Sequence, residues 1–197
     1  MTTVLSKPED QRRRQLLTAA FDVFVRFGFR KTSMDEVARA AQVSRQALYL
    51  HFANKEELFR AAVQQVLDDA LSAAIRIFAE GTAIEARLVR AFDAWFGWYL
   101  DRVMPQPTDL VEVGKTLVGE LASDYEARFA EALTRAIRSS ELLALYKPAG
   151  LNAQRLATTL LATARGLKQS SRSRLEFVEG ISLAARVLCA HLPTVSV

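Results

Sequence analysis

The chemistry that stands out in this chain follows Ser44. Arg45 can donate two parallel hydrogen bonds to the edge of a guanine, and Gln46 can pair through its amide with an adenine. Each such contact discriminates between bases by roughly 1–3 kcal/mol. Tyr49 stands one helical turn beyond Arg45 on the same face, where its hydroxyl can reach a phosphate. Ser44 has the side chain of a helix N-cap. Eleven residues earlier, Ser33-Met34-Asp35-Glu36 forms a capping box, in which the serine hydroxyl and the glutamate carboxylate satisfy each other's backbone amides. Helix N-termini of this kind attract anions, which adds Thr32 and Ser33 to the candidate phosphate contacts.

Catalytic and metal chemistry are not expected. The one cysteine, Cys189, excludes an intrachain disulfide and a multi-cysteine metal cluster, and two histidines, His51 and His191, make a histidine metal site improbable. No nucleophile stands with a base, no carboxylates pair in an apolar setting, and no glycine loop could cradle a phosphate. A helical enzyme is therefore the weaker rival, and no cofactor is implied. With half of the residues hydrophobic and 24% charged, the composition is that of a folded domain. Residues 1–60 carry eleven Lys and Arg against seven Asp and Glu, while the remainder is balanced. A basic third on a neutral body suits a polyanion-facing module, although a solvated helix surface looks the same. Met1–Asp10 is polar and no apolar run reaches about 18 residues, so a cytoplasmic protein without a membrane partner is expected. The Arg12–Arg14 cluster could touch a membrane surface, but the apolar face of its helix is needed for the core.

These residues must be held by helices, and the caps mark nine of them. The first spans 10–27 and stops at Gly28. The second opens at Ser33 and the third at Ser44, and Asn54 caps a long fourth over 55–80 that stops at Gly81. A capping box at Thr82–Glu85 opens a fifth to about Val103, closed by Pro105 and Pro107. Asp109 starts 110–121, Ser123 starts 123–139, Asn152 caps a helix to Gln169, and Ser173 caps the last, to His191. The apolar stretch 141–146 either extends the seventh helix or forms a turn. Nothing reads as a strand. Three helix starts within about twenty residues, joined by very short links, describe a helix-turn-helix.

Thr32-Ser33-Met34-Asp35-Glu36-Val37-Ala38, then Ala41-Gln42-Val43-Ser44, then Leu48-Tyr49-Leu50-His51-Phe52-Ala53-Asn54-Lys55-Glu56-Glu57-Leu58 resembles the tetracycline-repressor (TetR) family of bacterial transcriptional regulators. The likeness covers about residues 11–60; the rest resembles the family in size and helix count. It implies an all-α, nine-helix architecture. A helix-turn-helix module would occupy residues 1–54, and a ligand-binding and dimerisation domain 55–197. It implies a homodimer on a palindromic operator in double-stranded DNA, with a small-molecule effector and repression as the usual outcome. The DNA contacts would be Thr32, Ser33, Ser44, Arg45, Gln46 and Tyr49, joined through the resemblance by His51 and Lys55. Leu48, Phe52 and Leu58 are assigned to packing. Family members place glycine where Gln42 sits, in a turn that favours positive φ, so Gln42 costs on the order of 1 kcal/mol.

The last two helices carry apolar residues beyond a single stripe, as helices with two dry faces do. Leu156, Leu160, Leu167, Ile181, Ala184 and Leu188 are the candidate dimer interface. The fifth helix carries Phe92, Trp95, Phe96, Trp98 and Tyr99 within eight residues. Phe92, Trp95, Phe96 and Tyr99, with Tyr125, Phe129, Thr159 and Thr163, could wall a pocket for an apolar or aromatic ligand. The same rings could equally be plain core, which would leave a ligand-independent DNA binder.

Overall fold

The computed structural model describes residues 7–106 and 108–190, and every regular element among them is helical. In chain order these are α1 (Lys7–Phe27), α2 (Met34–Ala40), α3 (Arg45–His51), α4 (Lys55–Phe78), α5 (Ile84–Trp98), α6 (Leu110–Arg138), α7 (Leu142–Tyr146), α8 (Ala153–Ser170) and α9 (Arg174–Cys189). A π-helical turn, Tyr99–Val103, follows α5, and a 3₁₀ turn, Lys147–Ala149, follows α7. No described helix is long and apolar enough to cross a membrane. His191 and the end expected for the last helix lie outside the described residues.

Nine helices are present among the described residues, but not the nine expected. The break at Ser123 is absent, and 110–121 and 123–139 are one continuous α6. Ser123 and Glu126 have the spacing of a capping box, yet a serine inside a helix costs only a few tenths of a kcal/mol. No glycine or proline interrupts the run beyond Gly119, and Tyr125 is buried. The count is restored by the 141–146 stretch, which forms α7. Nor does Thr82 cap α5: that helix starts after Ala83 with no side-chain cap. Four caps are as read, with Ser44 accepting from the Ala47 amide, Asn54 from Glu57, Asn152 from Arg155 and Ser173 from Glu176.

Packing divides the chain into two units, one made of residues up to Asp68 with Arg102–Ala122, the other of Asp69–Asp101 with the residues from Ser123 onward. The boundary read at 54/55 therefore differs from the packing, which keeps the first half of α4 with the helix-turn-helix. The reason is visible in the first core. Phe59 of α4 packs edge-on to Phe24 at 5.2 Å and to Phe29 at 5.3 Å, and Leu58 is fully buried. Each such side chain stabilises by roughly 1.5–3 kcal/mol when covered, so cutting it away would strip the core. In the second unit α9 packs against both α5 and α8. Phe96 and Phe177 join the first pair at 5.6 Å, and Gly180 lets Leu167 of α8 approach where a Cβ would lie 2.6 Å from its Cδ2.

Candidate nucleic-acid interface

The placement of α2 and α3 begins at the turn after α1. Gly28 has φ 85°, and a Cβ there would fall 2.5 Å from Asp109 Oδ1. The Asp109 carboxylate accepts from the Phe29 amide at 2.7 Å and from the Arg30 amide at 3.0 Å. On the other side, the Lys55 ammonium donates to the carbonyls of Phe29 and Thr32, both at 2.9 Å, and lies over the Phe29 ring. The Thr32 hydroxyl donates to the Gly28 carbonyl at 2.7 Å. An anion thus takes the N–H groups of this turn and a cation takes its carbonyls, which fixes where Ser33 can start α2.

At Ser33 the capping box is complete. Its amide donates to Glu36 Oε2 at 2.7 Å, its hydroxyl donates to the same oxygen, and the Glu36 amide donates back to Oγ. These bonds hold the Glu36 carboxyl below its usual pKa. α2 buries Met34, Val37 and Ala38 and ends in a Schellman turn. The Val43 amide reaches the Ala38 carbonyl at 3.0 Å, and the Gln42 amide reaches Arg39 at 3.2 Å. Gln42 sits at φ 57°, the positive value expected of that position.

From Ser44, α3 turns Leu48 into the core and leaves its other faces open. Arg45 and Gln46 are exposed, Tyr49 is 42% exposed and Leu50 is 79% exposed. The Arg45 guanidinium lies over the Tyr49 ring at 5.4 Å and pairs with Asp35 of α2 at 2.9 Å. Ser33, Ser44 and His51 are exposed. Leu48, Phe52 and Leu58 are buried, as their assignment to packing requires. Two expected phosphate ligands need correction. Thr32 is 2% exposed with its hydroxyl committed, so its side chain is a brace. Lys55 has given two of its three donors to carbonyls and keeps one.

Residues 16–62 match the model of the bacterial regulatory proteins of the tetR family. Within that stretch the chain is similar to the DNA-binding module of the family. Over 89 residues it is 42% identical to the HTH-type transcriptional activator FasR of Mycolicibacterium smegmatis. Over 63 residues it is 36% identical to the HTH-type transcriptional regulator RutR of Escherichia coli K12. These stretches cover 45% and 32% of this chain but only 41% and 30% of the two relatives. Along the remainder the likeness is one of fold. The TetR-family regulator PfmR of Thermus thermophilus has a TM-score of 0.59 at 20% identity, covering 91% of this chain and 99% of that one. The fatty acid degradation regulator FadR of Bacillus halodurans has a TM-score of 0.67 at 16% identity, covering 92% and 96%.

In the second unit the expected pocket residues divide. Phe92, Trp95, Phe96, Tyr125 and Phe129 are buried. Trp95 stacks on Phe129 at 4.9 Å, and Phe92 meets Phe129 edge-on at 5.2 Å. Tyr99 is half-buried at the end of this row. Thr159 and Thr163 do not join it. Both are exposed, because α8 turns Leu156, Leu160 and Leu161 inward instead, and Thr163 donates to the Thr159 carbonyl. A groove of about 470 Å³ runs between the start of α5 (Ala86, Val89, Arg90) and α9 (Ser182, Arg186), and none of the eight expected residues lines it.

The dimer candidates also need their register corrected. Leu156, Leu160 and Ile181 are buried within the protein's own core, whereas Leu167, Ala184 and Leu188 are half-buried. The apolar side chains that α9 turns outward are Leu183 and Val187, 61% and 67% exposed, with Leu175 near its start.

Proposed function

We propose that this chain is a DNA-binding transcription regulator that reads a palindromic operator as a homodimer, and that a small apolar or aromatic effector changes its affinity. The observation that carries the reading is the exposed Arg45, Gln46 and Tyr49 on a helix capped at Ser44, within a stretch matching the tetR family. In this reading α3 enters the major groove, and Arg45 leaves Asp35 for a guanine while Gln46 takes an adenine. Leu50, exposed beside Tyr49, meets a thymine methyl. Ser33, Ser44, Tyr49, His51 and the remaining donor of Lys55 grip phosphates, which set register but not sequence.

DNA contact is assigned to residues 1–54, and effector binding and dimerisation to 55–197. Such a regulator works beside the chromosome, in the cytoplasm, and no catalysis is assigned to it. The outward Leu183 and Val187 support the dimer, because apolar side chains in a row mark a surface that a partner covers. A dimer places two recognition helices on half-sites about 34 Å apart, one turn of B-DNA. An effector acts by binding one spacing better than the other, and its effect cannot exceed that difference in affinity.

The test is binding of the intact protein to the DNA upstream of its own gene, with and without candidate effectors. Saturable, sequence-dependent binding is expected. Arg45→Ala should relax base preference by about tenfold at one position of each half-site. Turnover of a substrate without sequence-dependent DNA affinity would overturn the reading. A ligand-independent regulator is the second reading, favoured by the mutual packing of Phe92, Trp95 and Phe129. Binding unaffected by every compound would select it.

A further inference from the structure

One cation of the second unit has no acidic partner among the described residues. The Lys168 ammonium, on the last turns of α8, lies 3.9 Å from the centre of the Tyr99 ring and 5.3 Å from that of Phe96. It has neither a carboxylate nor a hydrogen-bond acceptor among the described residues. Asp93 of α5 and Asp101 of its π-helical extension are already taken. Asp93 binds Arg174 through two bonds, at 2.6 and 2.8 Å, and Asp101 binds the same guanidinium at 2.6 Å. Gly97 makes room for that guanidinium, since a Cβ there would lie 2.9 Å from its Nε. Ring faces compensate a cation only in part, and partly buried charges are ordinarily paired. Burial accordingly pushes the Lys168 ammonium below its usual pKa.

A second donor lacks an acceptor on the same helical face. Trp95, 4% exposed, stands one turn before Tyr99, and its indole N–H has no hydrogen-bond partner among the described residues. Buried indole N–H groups usually find one. Between them, α5 opens into the π-helical turn that begins at Tyr99, a distortion that is frequent at binding sites. Both polar groups are donors, and their surroundings are aromatic.

We propose that Lys168 and Trp95 are the polar anchors of a site for an organic carboxylate with an apolar body, which lies against Phe96 and Tyr99. The proposal rests on the regulator reading for its purpose, since this anion would be the effector. Its chemistry stands on the two donors alone. A carboxylate supplies both missing acceptors and neutralises the cation, whereas an alcohol brings no charge to the ammonium and a quaternary ammonium repels Lys168.

The chain's two tryptophans, Trp95 and Trp98, report on the site directly. Intrinsic fluorescence of the full-length protein is titrated with decanoate, 4-phenylbutyrate, decanol and decyltrimethylammonium, with calorimetry on the same samples to catch silent binding. At least one carboxylate should saturate below about 10 mM, and decanol and the cation should bind at least about tenfold more weakly. Lys168→Met should weaken the carboxylate at least about tenfold and leave decanol unchanged, while Lys168→Arg retains binding. Far-ultraviolet dichroism and thermal unfolding check that both variants fold. Equal affinity for decanol and decanoate, no loss in Lys168→Met, or no saturable carboxylate binding would each overturn the proposal. Operator binding without anion binding would sink this inference and leave the regulator reading standing; anion binding without operator binding would do the reverse.

Discussion

Gln42 holds a left-handed backbone at φ 57° in the turn between α2 and α3, where a side chain costs about 1 kcal/mol and glycine does not. Gln42→Gly should therefore raise unfolding free energy by about 0.5–1 kcal/mol in urea titrations, while Gln42→Ala, which keeps the Cβ, gives no such gain. Cys189 makes a prediction with a definite sign. Burial, with smaller contributions from Glu85 and Glu141, pushes its thiol up to about 11, against about 8.5 in an unfolded chain. The folded state thus holds this proton more tightly, a stabilisation complete below about pH 8.5 and lost as pH rises toward about 11. Measured against Cys189→Ala, the wild type should lose relative stability between pH 8.5 and 11, and native Cys189 should label slowly with thiol reagents at pH 8. What the sequence exposes at this scale is local. The caps at Ser33 and Ser44 bind amides three residues on, so their spacing suffices. The carbonyls of the α1–α2 turn that occupy the Thr32 hydroxyl and two donors of Lys55 were not legible, because they depend on how that turn folds and on α4 crossing it.

Among the elements, the α1–α2 turn depends most on a distant residue. Asp109 stands 80 residues from Phe29 in sequence, and reading it as an ordinary helix start missed its carboxylate entirely. Asp109→Ala should destabilise the first unit by about 1–2 kcal/mol, since one part-buried and one exposed amide lose a charged acceptor. Asp109→Asn, which keeps one acceptor, should fall between. Hydrogen exchange at Phe29 and Arg30 checks the site directly, because faster exchange there must accompany the loss. α6 teaches the complementary lesson. Ser123 has a cap's spacing, but whether a cap is used depends on the packing of the turns around it, and buried Tyr125 and Phe129 hold one helix through the site. The helical class, the helix-turn-helix and most boundaries were legible because periodicity and caps are short-range. Which face of α9 turns inward was not, since both carry apolar side chains and only contacts with α5 and α8 decide.

For the whole molecule, the outward stripe of α9 sets an expectation about assembly. Covering Leu183 and Val187 on two copies would bury four side chains across a two-fold axis, each stabilising by roughly 1.5–3 kcal/mol. That is enough to move a dimer Kd by several powers of ten. Leu183→Glu with Val187→Glu should sediment as a monomer and lose operator affinity, yet unfold like the wild type. A variant that stays dimeric would place the interface elsewhere. The return of Arg102–Ala122 to the first unit has another consequence. The chain crosses between the units three times, so neither can be lifted out as one uninterrupted stretch. A chimaera that grafts residues 1–68 onto a different sensor would leave behind the aspartate that latches its first turn. To recombine such regulators with new sensing bodies, the graft must carry two separate gene segments, and shuffling at a single crossover is expected to yield insoluble hybrids.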